Sequence, residues 1–114
     1  MIEELIKRVF DTRNSAHVKH WKTESYAEHQ TLGQFYETLI DKIDHLVETY
    51  NGGVEMIKDV EGVDPATIKM LEEEMLWIAQ HRSKIAQGAP AIENILDDLV
   101  GMYANTLYKL ERLR

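Results

Sequence analysis

Six residues in the first half of this chain are of types that do chemistry: His17, His20 and Trp21, followed by His29, Asp44 and Glu48. Imidazole nitrogen beside carboxylate oxygen is a donor set for borderline and hard divalent metals. Spacing decides how such donors can meet. Asp44 and Glu48 stand at i and i+4, so one helix face offers both to a single cation. His29 precedes Asp44 by a stretch that, at 1.5 Å per helical residue, is ~22 Å long. No ion bridges that gap within one chain. An antiparallel copy of the same helix, turned about a two-fold axis near Tyr36 and Glu37, sets His29 beside the carboxylate half of its neighbour and creates two identical intersubunit sites.

The elements that must position these groups are helices. Ile2, Leu5, Ile6, Val9, Arg13, Ala16, His17 and His20 recur at steps of three and four, which makes one stripe at ~100° per residue. That first helix is expected over about 2–22. Ser25 and Glu28 have the form of a capping box, so a second helix, about 26–50, follows a very short turn and must run antiparallel. It carries Leu32, Phe35, Tyr36, Leu39, Ile40, Ile43, Leu46, Val47 and Tyr50. Asn51-Gly52-Gly53 reads as a left-handed C-cap. Gly33, Glu37, Asp44 and Glu48 share a flank beside the apolar stripe, and Gly33 is expected to let a neighbouring subunit approach there. Asp64-Pro65 reads as the start of a third helix, about 65–87, and Pro90 as the start of a fourth, about 90–112. Residues 54–63 read as a connection with at most a turn or two of helix.

No segment reads as a strand. The expected fold is all-α, one four-helix-bundle domain spanning 1–114. The connection from helix two to helix three could span ~45 Å if extended, which permits either an overhand crossover or a simple up-down-up-down order.

Composition narrows the function further. There is no cysteine, so disulfides, thiolate zinc sites and iron–sulfur clusters are excluded. The net charge is −7 and no Lys/Arg run occurs, so a nucleic acid partner is not expected. No apolar run approaches the ~20 residues of a membrane span. The start, Met-Ile-Glu-Glu-Leu, reads as an amphipathic helix rather than a signal peptide, so a cytoplasmic location is expected. Glu-x-x-His, phosphate-loop and nucleophile-elbow patterns are absent. His45 and His81 read as exposed and structural respectively, and Glu72-Glu73-Glu74 as a solvated patch.

His17-Val-Lys-His20-Trp21, then His29, then Asp44 and Glu48, resembles the signature of the Dps proteins, or mini-ferritins. The likeness covers roughly residues 10–50. It implies a ferritin-like bundle and a homo-oligomer, at least a dimer, with His20 and His29 from one chain and Asp44 and Glu48 from its neighbour as metal ligands. His17 and Trp21 would lie just outside the ligands. The implied cofactor is iron or another divalent metal, and the implied activity is Fe(II) oxidation. Gly33 stands where that family carries a further acid, so the site is expected to be simpler and ferroxidase activity weakened. The alternative is a non-catalytic helical dimerisation module with a degenerate metal site. The His20-Trp21-Lys22-Thr23-Glu24-Ser25 run with Ala27-Glu28-His29 also looks like small ferritin-like proteins encoded by bacteriophages.

Overall fold

The computed structural model describes residues 1–113. The fold is all-α: α1 (Ile2–Lys22), α2 (Tyr26–Gly53), α3 (Ile68–Ala86) and α4 (Pro90–Arg112). Among the described residues the only β pairing is an isolated bridge between Val60 and Val63. The chain divides into two compact units, Met1–Asp64 and Pro65–Arg114. In the first, α1 packs on α2; in the second, α3 packs on α4. No described helix is long and apolar enough to cross a membrane.

In the first hairpin the turn is Thr23-Glu24-Ser25. The Ser25 hydroxyl accepts the Glu28 N–H at 3.2 Å, so half of the expected capping box is present. The reciprocal half is replaced. The Ser25 N–H donates to the Thr23 hydroxyl, and the Glu28 carboxylate instead lies 3.6 Å from the Lys19 ammonium. Ile6, Ala16 and Ile43 are the buried apolar residues of this unit.

α2 runs on to Gly53, three residues past the expected end, and without a left-handed cap. Asn51 explains the difference. Its side-chain oxygen accepts the Ile57 N–H at 2.9 Å, so the chain turns on a side-chain bond and not on a positive φ. The segment beyond α2 forms no helix. It is tied to the start of α1 by the Lys58 N–H, which donates to the Glu3 carboxylate at 3.0 Å.

α3 begins at Ile68, not at Pro65. Thr67 is extended and its hydroxyl accepts the Met70 N–H at 3.1 Å. Proline's fixed φ suits extended backbone as well as a first helical turn, so the better-placed hydroxyl sets the boundary. The α3–α4 turn is Gln87-Gly88-Ala89, with Gln87 left-handed at φ 50° and Gly88 at φ 82°. Pro90 opens α4 as expected. Ile78, Ala86 and Leu107 are buried here.

Candidate functional site

The tight α1–α2 turn brings the last turn of α1 against the first turns of α2, and this places His20 and His29 face to face. Their rings stack with centroids 3.7 Å apart and planes inclined by 15°. His20 Nδ1 lies 2.6 Å from the His29 carbonyl oxygen, and His29 Nδ1 lies 2.8 Å from the His20 carbonyl oxygen. A carbonyl only accepts, so both Nδ1 atoms carry the proton and donate it. The His20 carbonyl belongs to the last turn of α1, where no intrahelical N–H reaches it. His29 thereby caps α1 while His20 fastens itself to α2. The pair is a reciprocal clasp.

Gly33 is what lets the clasp close. A Cβ at this position would stand 3.1 Å from His20 Cε1 and 3.3 Å from His20 Nδ1. Within this chain, the close approach that glycine permits is to its own His20. An acid at position 33 would displace the ring.

The rest of the cluster is aromatic. His17 stacks on Tyr36 at 4.0 Å and 21°, and Trp21 lies over His17 at 4.0 Å and 37°. The Arg13 guanidinium carbon is 5.3 Å from the centre of the Tyr36 ring, within cation–π range. His20 meets the same ring edge-on at 5.4 Å. Burial holds the His17 imidazole below the usual histidine pKa; the Arg13 and His20 charges push the same way, and Glu37 opposes them. Trp21 is not core: 68% of it is exposed, and its contact is with the His17 ring.

Helical geometry separates the carboxylate half, as the spacing requires. Asp44 and Glu48 lie on the later turns of α2 and are exposed, as is His45. Among the described residues no group of three or more His, Asp or Glu side chains is placed to hold a metal ion. The histidine pair itself has a chemical limit. A metal sits ~2.1 Å from an imidazole nitrogen, along the lone pair in the ring plane. Two nearly parallel stacked planes do not meet at that distance, so one ion cannot be chelated by both rings as they stand. Both Nε2 atoms stay outside the clasp's hydrogen bonds, and both rings line an open depression with Tyr26, Gln30, Gly33, Gln34 and Glu37.

The second hairpin has its own polar fastening, which was not anticipated from the sequence. Arg82 of α3 donates from Nε and Nη2 to the two carboxylate oxygens of Asp97, at 2.7 and 2.9 Å, and from Nη1 to Glu93 at 2.9 Å. The signal was present: an arginine just before a tight turn, with acids at i and i+4 just after it. His81 donates Nδ1–H to the Trp77 carbonyl at 2.7 Å and stacks on the Trp77 ring, a structural role.

Two helical hairpins, one closed by imidazoles and the other by a guanidinium fork, define a small all-α protein. The chain belongs to the family described as "Family of unknown function (DUF5856)", whose model matches residues 20–110. It is similar to the "Uncharacterized 14.6 kDa protein in mobD-ri intergenic region" of Enterobacteria phage T4. The two are 31% identical over 99 residues, which is 82% of this chain and 75% of that protein. No solved structure matches.

Proposed function

We propose that this chain is a helical interaction module that associates with further copies of itself, and that the His20–His29 pair serves to lock its first hairpin. The supporting observation is the apolar surface left beyond the seam of each hairpin. Leu5, Phe35 and Leu46 are exposed in the first unit, and Trp77, Ile95 and Met102 in the second. Contiguous exposed apolar surface marks interaction sites. The stacked geometry of the clasp supports the structural role, because it caps an otherwise unsatisfied carbonyl without needing any ligand. A dimer or larger assembly is expected by light scattering at micromolar concentration; a monomer would sink this reading.

A second reading follows from the same clasp. Donation of Nδ1–H to a carbonyl is also how metal-ligating histidines are commonly oriented, with Nε2 left to bind. In a mini-ferritin-like assembly, iron or another divalent metal would be held by one of these Nε2 atoms and by Asp44 and Glu48 of a neighbouring chain. That requires the two rings to unstack, or only one of them to bind. Calorimetric titration with Zn(II) or Fe(II) tests it directly. A saturable site abolished by Glu48→Ala as well as by His29→Ala supports it, whereas no saturable heat leaves the clasp purely structural. Fe(II) oxidation no faster than in the Glu48→Ala variant removes the ferroxidase activity that the likeness implies.

A further inference from the structure

The side of the α3–α4 hairpin opposite its Arg82 fork carries an apolar strip. On α4, Ile92, Ile95, Leu99 and Met102 follow one another at steps of three and four, which places them on one face. Asp97 and Gly101, which line a cleft with Ala79 and Arg82, lie on the other side. On α3, Met70, Trp77 and Ile85 fall on the strip's side by the same count, with Glu74 and His81 among them. The seven apolar residues are exposed, Ile95 by 66%, Met102 by 59% and Trp77 by 52%.

We infer that this strip is the contact between two copies of the chain, packed with their α4 helices antiparallel about a two-fold axis near Met102. The inference rests on the self-association proposed above and specifies its geometry. Two observations single out a second copy. The first is area. From the exposed fractions, the strip with Leu110 offers about 700 Å² per copy, which doubled reaches the ~1,200–2,000 Å² of a specific stable interface. The second is charge. In the first half of α4, Asp98 is the acid outside the Arg82 fork, whereas the last turns carry Lys109 and Arg112 with Glu111. Asp98 and Lys109 lie on the same outer flank of the strip, 20° apart by the ~100° count. An antiparallel neighbour therefore brings Lys109 of each copy within one turn of Asp98 of the other. A parallel two-fold neighbour would instead turn this flank of each copy to opposite sides of the contact, where Asp98 and Lys109 do not meet. The same symmetry covers Trp77 of both copies, an aromatic side chain of the kind enriched in interfaces.

The chain has no cysteine, so single introduced cysteines report the geometry cleanly. Under mild oxidation, Met102→Cys is expected to form a disulfide-linked dimer. Ile95→Cys is not, because antiparallel packing sets its two copies about 21 Å apart along the axis. Asn94→Cys, on the far side of α4, is also expected to stay unlinked. Linkage of both Met102→Cys and Ile95→Cys would mean parallel packing and would overturn the inference. Failure of Met102→Cys to link in a sample that light scattering shows to be dimeric would overturn this contact while leaving self-association intact. A monomeric wild-type sample would remove both.

Discussion

The two hairpins solve one problem with different chemistry. Each joins two long helices through a three-residue turn, and each needs a polar fastening beside that turn, since the small seam buries little. The first uses rings: two imidazoles donating to each other's backbone carbonyls, with His17, Tyr36 and Trp21 stacked alongside. The second uses charge: one guanidinium gripping two carboxylates. The comparison teaches that histidine at a helix end is not by itself a sign of metal chemistry. A helix C-terminus presents unsatisfied carbonyls, and an imidazole Nδ1–H is as good a cap for them as a lysine.

That contrast can be broken most forcefully in the apolar seams. Leu107→Ala in the second hairpin and Ile43→Ala in the first are each expected to cost about 2–4 kcal/mol, read as lower denaturation midpoints. The clasp comes next. His29→Ala leaves the last-turn carbonyl of α1 without its donor and should cost about 0.5–1.5 kcal/mol, since the bond is exposed and water can take its place. Because the two rings act as a unit, the His20→Ala, His29→Ala double variant should lose less than the sum of the singles in a double-mutant cycle. Additive losses would show that the rings act independently. Gly33→Ala sharpens the same point. A helical alanine ordinarily gains about 1 kcal/mol over glycine, yet here it should destabilise, because His20 is held on both sides and cannot yield to the new Cβ.

Acid should separate the hairpins more subtly. His17 has a folded pKa below its unfolded value, so the unfolded chain binds the extra proton first as pH falls. The stability it contributes is present above the ordinary histidine pKa of about 6.5 and is lost as pH falls through the lower folded value. Asp97 is also held low, chiefly by its hydrogen bonds from Arg82. Its contribution persists until pH falls below the ordinary carboxylate value of about 4. Glu3 is lowered as well, first by the Lys58 N–H, and belongs to the first hairpin. Mild acidification from pH 7 to 5.5 should therefore weaken the first hairpin before the second, as followed by Trp21 and Trp77 fluorescence in single-tryptophan variants. His17→Phe should flatten that early response.

The smallest effect is expected at the fork. Arg82→Lys keeps a charge but not the planar geometry that grips Asp97 with two parallel bonds. Since the fork is part-exposed, the loss should be slight and should shrink further in salt. A large, salt-independent loss would mean that Arg82 acts through packing.

Much of this was legible in the residue pattern. Four helices follow from the periodicities, and Ser25 and Pro90 mark ends that the structure keeps. Boundaries moved where a side chain outside the helix competed for a backbone group, as Asn51 does for Ile57 and Thr67 for Met70. The pairing of His20 with His29 was also readable, since a short turn after His20 must bring the two together. The direction in which their rings point was not readable. Spacing along a helix locates a Cβ, but only the packed turn, with Gly33 leaving room for a ring, decides that each imidazole turns its Nδ1 to a carbonyl. Residue types and their periods thus specify which groups become neighbours in each hairpin. Whether neighbouring histidines form a chelate or a clasp is decided by ring orientation, a property of the tertiary contact alone.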